Sequence, residues 1–171
     1  MQSRAKLLGH AIHPMLIAFP LGLLATGVVF DILHLITDRH GFETAAAYSI
    51  AAGVVGGALA ALFGWVDWFA IPDGTRAKRL GLVHGMGNAA VLVLFAVSWL
   101  IRLADDAWAA SGVAMALSFV GAGIALFTAW MGGELVERLG VGVDDGANLD
   151  APSSINHPVV DGPSGAHPAI H

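Results

Sequence analysis

Four apolar stretches, each long enough to cross a lipid bilayer, constrain this chain more than anything else in it. A helix needs about 20 consecutive apolar residues to span the hydrocarbon core. Runs of that length lie at about residues 13–37, 44–71, 82–103 and 111–136. None carries a polar stripe broad enough to face water, which excludes a soluble helix bundle. Only 12% of the 171 residues are charged, against about 25% in ordinary soluble domains, and mean hydropathy is +0.72. Lipid is the solvent this composition suits.

Short connections join the four runs, among them the turn Pro72-Asp73-Gly74. Neighbouring helices are therefore expected to be antiparallel, giving an all-α, up-down four-helix bundle within the bilayer. Arg4 and Lys6 precede the first run as they would in a secretory leader. That run continues well beyond the roughly 7–15 residues of a leader's apolar region, and no small-residue cleavage site follows, so it is expected to be a retained span. Basic residues set the orientation. Arg4, Lys6, Arg76, Lys78, Arg79 and Arg138 fall on one side, Arg39 and Arg102 on the other. Both termini are expected in the cytoplasm.

The membrane domain fills about residues 1–143. Beyond it, residues 144–171 are rich in Asp, Gly, Pro, Ser and His with few large apolar groups. Such a segment buries too little to offset its ordering entropy and is expected to be a disordered cytoplasmic tail. Its His157, His167 and His171 read as solvated side chains rather than metal ligands. Net charge of −5 gives no footing for nucleic acid, and the absence of cysteine excludes disulfides, thiolate zinc sites and c-type haem attachment.

Helices in lipid associate through small residues that let backbones approach. The second run has Gly53 with Gly57, and a row of Gly56, Ala60 and Gly64 that leads one turn on to Asp67. In the third, Gly81, His84, Gly85 and Asn88 share one face. The face that packs tightest is thus the face that carries polar groups. Glycine-lined faces also suit a homo-oligomer.

Ionisable groups inside spans are costly and mark candidate sites. With a rise of about 1.5 Å per residue, His13 begins the first helix, Asp67 lies near the end of the second, His84 near the start of the third and Glu134 near the end of the fourth. Antiparallel packing brings all four to one depth, with His10 and Asn88 close by. Asp31 lies about 27 Å further along the first helix, on the same side as His13 and near His34.

Three readings fit this layer. In the first, His13 and His84 are axial ligands of a b-type haem, Asp67 or Glu134 orients an imidazole, and Arg76 or Arg79 meets the propionates. In the second, His10, His13, His84, Asp67 and Glu134 hold a non-haem metal ion or relay protons, as in a transporter-like protein. In the third, these residues only support the fold of a structural subunit: each is near a helix end where polar side chains reach the interface cheaply. Pro14 suits a first helical turn, which leaves His13 near the N-cap position. Asp31 and His34 form an i, i+3 pair that can hydrogen-bond or line a second, shallow site. For a second haem at that depth only His40 remains.

The stretches HAIHPMLIAFPLGLLATGVVFDIL, GWVDWFAIPDGTRAKRLGLVHGMGN and MGGELVERLGVGV resemble the domain-of-unknown-function family numbered 2231. The likeness covers about residues 7–143, and its motif positions fall on His13, Asp67, His84, Asn88 and Glu134. It implies a four-helix protein of the bacterial cytoplasmic (inner) membrane. Some relatives are joined to Rieske-type or cytochrome c-type modules. That implies electron transfer with a redox partner protein, and puts the haem reading first.

Overall fold

The computed structural model describes residues 1–105 and 107–155. A small antiparallel hairpin, β1 (Lys6–Leu7) and β2 (His10–Ala11), leads into four long helices. These are α1 (Ile12–Thr37), α2 (His40–Ala70), α3 (Arg76–Leu103) and α4 (Gly112–Gly133), and α4 ends in a π-helical turn over Glu134–Arg138. All four helices are long and apolar enough to cross a membrane.

Local chemistry sets the boundaries. Asp38 closes α1 in the left-handed conformation (φ 54°) and gives its N–H to the His34 carbonyl. Only Asp38 and Arg39 separate α1 from α2, so these two must reverse direction. Thr75 caps α3 by accepting from the Lys78 N–H at 3.1 Å, while its hydroxyl donates to the Pro72 carbonyl. This cap starts α3 six residues before the apolar run does. Ser111 caps α4 in the same way, accepting from the Ala114 N–H.

Packing is the reverse of a soluble protein's. Ala46, Ala47, Ala60 and Ala114 are fully buried where backbones meet, whereas Leu126, Phe69 and Ile36 stand outward. Leu24, Ile50, Val91 and Phe95 form the central apolar cluster. The helices pair mainly as α1 with α2 and α3 with α4; α2 also packs on α3, and α1 meets α4 far less.

The two pairs repeat one contact scheme. A Cβ on Gly53 of α2 would meet Leu24 of α1 at 2.7 Å, and one on Gly121 of α4 would meet Phe95 of α3 at 3.0 Å. Gly27 packs under Ile50 in the first pair, and Ser98 bonds Ser118 in the second. A spacing of 71 residues relates Leu24 to Phe95 and Gly27 to Ser98, and 68 relates Ile50 to Ser118 and Gly53 to Gly121. A repeat of two antiparallel helices returns the chain to its starting side, so the copies run parallel about an axis along the bundle.

After the π-helical turn, Asp144 pairs with Lys6 at 3.4 Å and Ser154 donates to the Leu8 carbonyl, so the polar contacts of residues 144–155 run to the hairpin. The tail histidines His157, His167 and His171 lie outside the described residues.

Candidate functional site

His13 stands in the first turn of α1, and its Nδ1 lies 2.8 Å from the Ala60 carbonyl of α2. His84 stands in the third turn of α3, and its Nδ1 lies 2.9 Å from the Thr128 carbonyl of α4. A carbonyl only accepts, so each Nδ1 carries a proton, and in the neutral ring each Nε2 keeps its lone pair. One turn beyond each carbonyl is a glycine. A Cβ on Gly64 would come within 3.0 Å of the His13 ring, and one on Gly132 within 3.2 Å of the His84 ring. Those glycines let an imidazole reach a carbonyl already used in the helix. The spacing of 71 recurs between the two histidines, and 68 between both the carbonyls and the glycines.

Asn88 elaborates the α3 side. Its Nδ2 donates to the His84 carbonyl at 2.9 Å and sits 3.3 Å from His84 Nε2. Thr128, almost fully buried, donates from Oγ1 to Asn88 Oδ1 at 3.1 Å. Nothing equivalent stands on α1, where residue 17 is isoleucine.

The carboxylates at this end have other work. Asp67 accepts from the Ser3 hydroxyl at 2.8 Å, from the Arg4 N–H at 2.8 Å and from the Ala5 N–H at 3.3 Å. It fastens the N-terminal segment that leads to the hairpin. Glu134 receives Arg76 Nη2 at 3.0 Å, bridging the start of α3 and the end of α4. The job of orienting the imidazoles, expected of Asp67 or Glu134, thus falls to main-chain carbonyls. Arg79 donates to the Gly74 carbonyl, and His10 is exposed beside the Leu8 carbonyl. Both sit at this end without joining the two imidazoles.

The far end holds groups the apolar pattern did not pair. Asp31 does not bond His34: it receives Arg102 Nη1 at 2.8 Å and Nη2 at 2.7 Å, with both side chains wholly buried. Arg102 is therefore a core residue and drops out of the loop charges that set orientation. Ser98 receives Arg102 Nε and bonds Ser118. His34 and His40 instead face Glu43, which also accepts the Ala110 N–H at 2.8 Å. Glu43 was not singled out in the sequence, because it lies in a first helical turn where acids are common.

Four long lipid-facing helices with their polar groups turned inward define an integral membrane bundle. The family described as "Predicted membrane protein (DUF2231)" matches residues 9–145. The chain belongs to that family. No curated protein and no solved structure matches it.

Proposed function

We propose that this protein is a small redox protein of the bacterial cytoplasmic membrane that holds a b-type haem through His13 and His84 and passes electrons to a partner protein. One observation carries the reading: two equivalent imidazoles, one per repeat, each give Nδ1–H to a main-chain carbonyl and keep Nε2 for a ligand. That is how protein-held metal ligands are oriented, the outer hydrogen bond setting both tautomer and ring plane. A pair of neutral imidazoles is a fitting donor set for haem iron. When bound, the haem takes up and gives back one electron.

The chain's own residues supply the rest. Ala60 and Thr128 hold the rings, Gly64 and Gly132 leave room for them, and lipid around the helices excludes bulk water. Asn88 Nδ2, 3.4 and 3.3 Å from the two ring nitrogens of His84, lies beside the ring and leaves the Nε2 lone pair open. Arg76 and Arg79, exposed at this end, supply positive charge for carboxylates of the group. With Arg102 removed from the count, the basic asymmetry favours both termini in the cytoplasm. A reporter fused after Asp150 tests this by being active only if it is one that works in the cytoplasm.

The haem reading is tested by the visible spectrum of detergent-purified, dithionite-reduced protein from haem-supplemented cells. A Soret band with sharp α and β bands, lost in both His13→Ala and His84→Ala, is the expected result. A featureless wild-type spectrum overturns it.

A further inference from the structure

We propose that His34, His40 and Glu43 form a second site, for a divalent metal ion of the zinc class, at the end of the bundle opposite His13 and His84. One donor atom from each of the three residues lies within 4.8 Å of the other two. His40 Nδ1 is 2.7 Å from Glu43 Oε2, and His34 Nε2 is 3.4 Å from Glu43 Oε1. Tetrahedral zinc with nitrogen or oxygen ligands at about 2.0–2.1 Å sets its donors about 3.3 Å apart. Changes in separation of up to about 1.5 Å bring the three donors to that spacing.

The ring nitrogens and the carboxylate are already oriented toward one another. His34 Nδ1 faces the Arg39 carbonyl at 3.4 Å, which assigns the ring proton to Nδ1. His34 Nε2, 3.4 Å from Glu43 Oε1, donates to that carboxylate when the ring is protonated, and in the neutral ring offers its lone pair to a cation shared with Glu43. Two imidazoles and one carboxylate suit zinc, and they leave a fourth position for water on the side where His40 is exposed. Outer hydrogen bonds of the kind that steady metal ligands are already present, from His34 Nδ1–H to the Arg39 carbonyl and from the Ala110 N–H to Glu43.

A metal held here ties together the last turn of α1, the first turn of α2 and, through Glu43 and Ala110, the connection between α3 and α4. It pins both loops at this end and rests on none of the haem-site residues.

The test is zinc titration of full-length, detergent-purified protein made without a polyhistidine tag and stripped with a chelator. One zinc ion per chain is expected. His40→Ala and Glu43→Gln should each weaken binding about tenfold or more, the scale of lost metal-site contacts. The His40 side chain is 84% exposed, so His40→Ala should keep its helical circular dichroism and a loss of zinc there is not misfolding. His84→Ala should bind zinc as wild type does, which separates this site from the haem reading. Absence of saturable binding overturns the proposal. So does affinity unchanged in His40→Ala and Glu43→Gln, including the case where His157→Ala/His167→Ala/His171→Ala abolishes it.

Discussion

Asp31 and Arg102 meet in a fully buried, two-pronged ion pair between α1 and α3, at 2.8 and 2.7 Å. The 71 residues between them are the spacing that also relates His13 to His84 and Leu24 to Phe95. The two partners are thus the same position in successive repeats, carrying opposite charges that face each other across the axis of the bundle. In lipid neither charge is tolerated alone. The pair locks the two helical hairpins in register at one end, while the imidazole layer lies at the other.

Neutralising either partner strands the other in a buried site, which costs about 3–5 kcal/mol. Arg102→Leu and Asp31→Asn should each lower resistance to unfolding in mixed detergent–SDS micelles by that order. The exchanged pair, Asp31→Arg with Arg102→Asp, should recover much of the loss because the positions are equivalent. Recovery should stay incomplete: Ser98 and Ser118 support the guanidinium beside α3, and Gly27 and Ile50 stand in their places beside α1. If the exchanged pair is as damaged as the singles, the equivalence of the two positions is wrong.

Asp67→Ala separates a fold-fastening role from a part in the imidazole layer. The carboxylate holds Ser3, Arg4 and Ala5 and touches neither histidine. Hydrogen exchange at the Arg4 and Ala5 amides should rise about tenfold or more, corresponding to the roughly 1–3 kcal/mol of hydrogen bonding removed. Exchange across the middle of α1 and α2 should stay as in wild type. Protection of the two N-terminal amides in the variant would mean that other contacts fasten that segment.

Helix number and the antiparallel run of neighbouring helices follow from run length and short connections, and so were legible. The hydrogen-bond partners were not. Ala60 and Thr128 hold the imidazoles by main-chain carbonyls, and a carbonyl leaves no mark in residue type. Asp67 was drawn to the imidazoles because its true partners are two amides and a serine in a segment without apolar pattern. Arg102 passed for a loop charge because it lies in the last turn of α3. The repeat is faint in the sequence because equivalent positions differ in kind, leucine against phenylalanine and aspartate against arginine. The recurring 71-residue spacing of polar residues within apolar runs was the signal that would have paired Asp31 with Arg102.

Acid should loosen the contact between the N-terminal hairpin and the segment after α4. Asp144 is held below the usual carboxylate range, chiefly by the Gly146 N–H and then by Lys6. A depressed folded value means the contribution is present above the unfolded pKa of about 3.9 and is lost as pH falls through the lower folded value. Proteolysis after residue 144 should therefore be constant from about pH 5 to 8 and faster near pH 3. Asp144→Asn should lose most of that pH response. A rise in cleavage near pH 6 would point to a histidine instead.

Glycine substitutions should divide by what an added Cβ would meet. Alanine is the better helix former by roughly 0.5–1 kcal/mol, so Gly22→Ala and Gly123→Ala, whose added Cβ meets nothing within 4 Å, should be neutral or slightly stabilising. Gly53→Ala places a Cβ 2.7 Å from Leu24 Cγ and 3.3 Å from its backbone nitrogen, so α1 itself must move. Gly121→Ala meets the Phe95 ring at 3.0 and 3.1 Å, with Leu94 Cβ at an ordinary 3.6 Å, and a ring turns more easily than a backbone shifts. Overpacking of this kind costs about 1–3 kcal/mol. The expected order of stability in detergent melts is Gly22→Ala and Gly123→Ala at or above wild type, Gly121→Ala below it, and Gly53→Ala lowest. Destabilisation by all four alike would mean that lost glycine flexibility, rather than helix contact, decides the outcome.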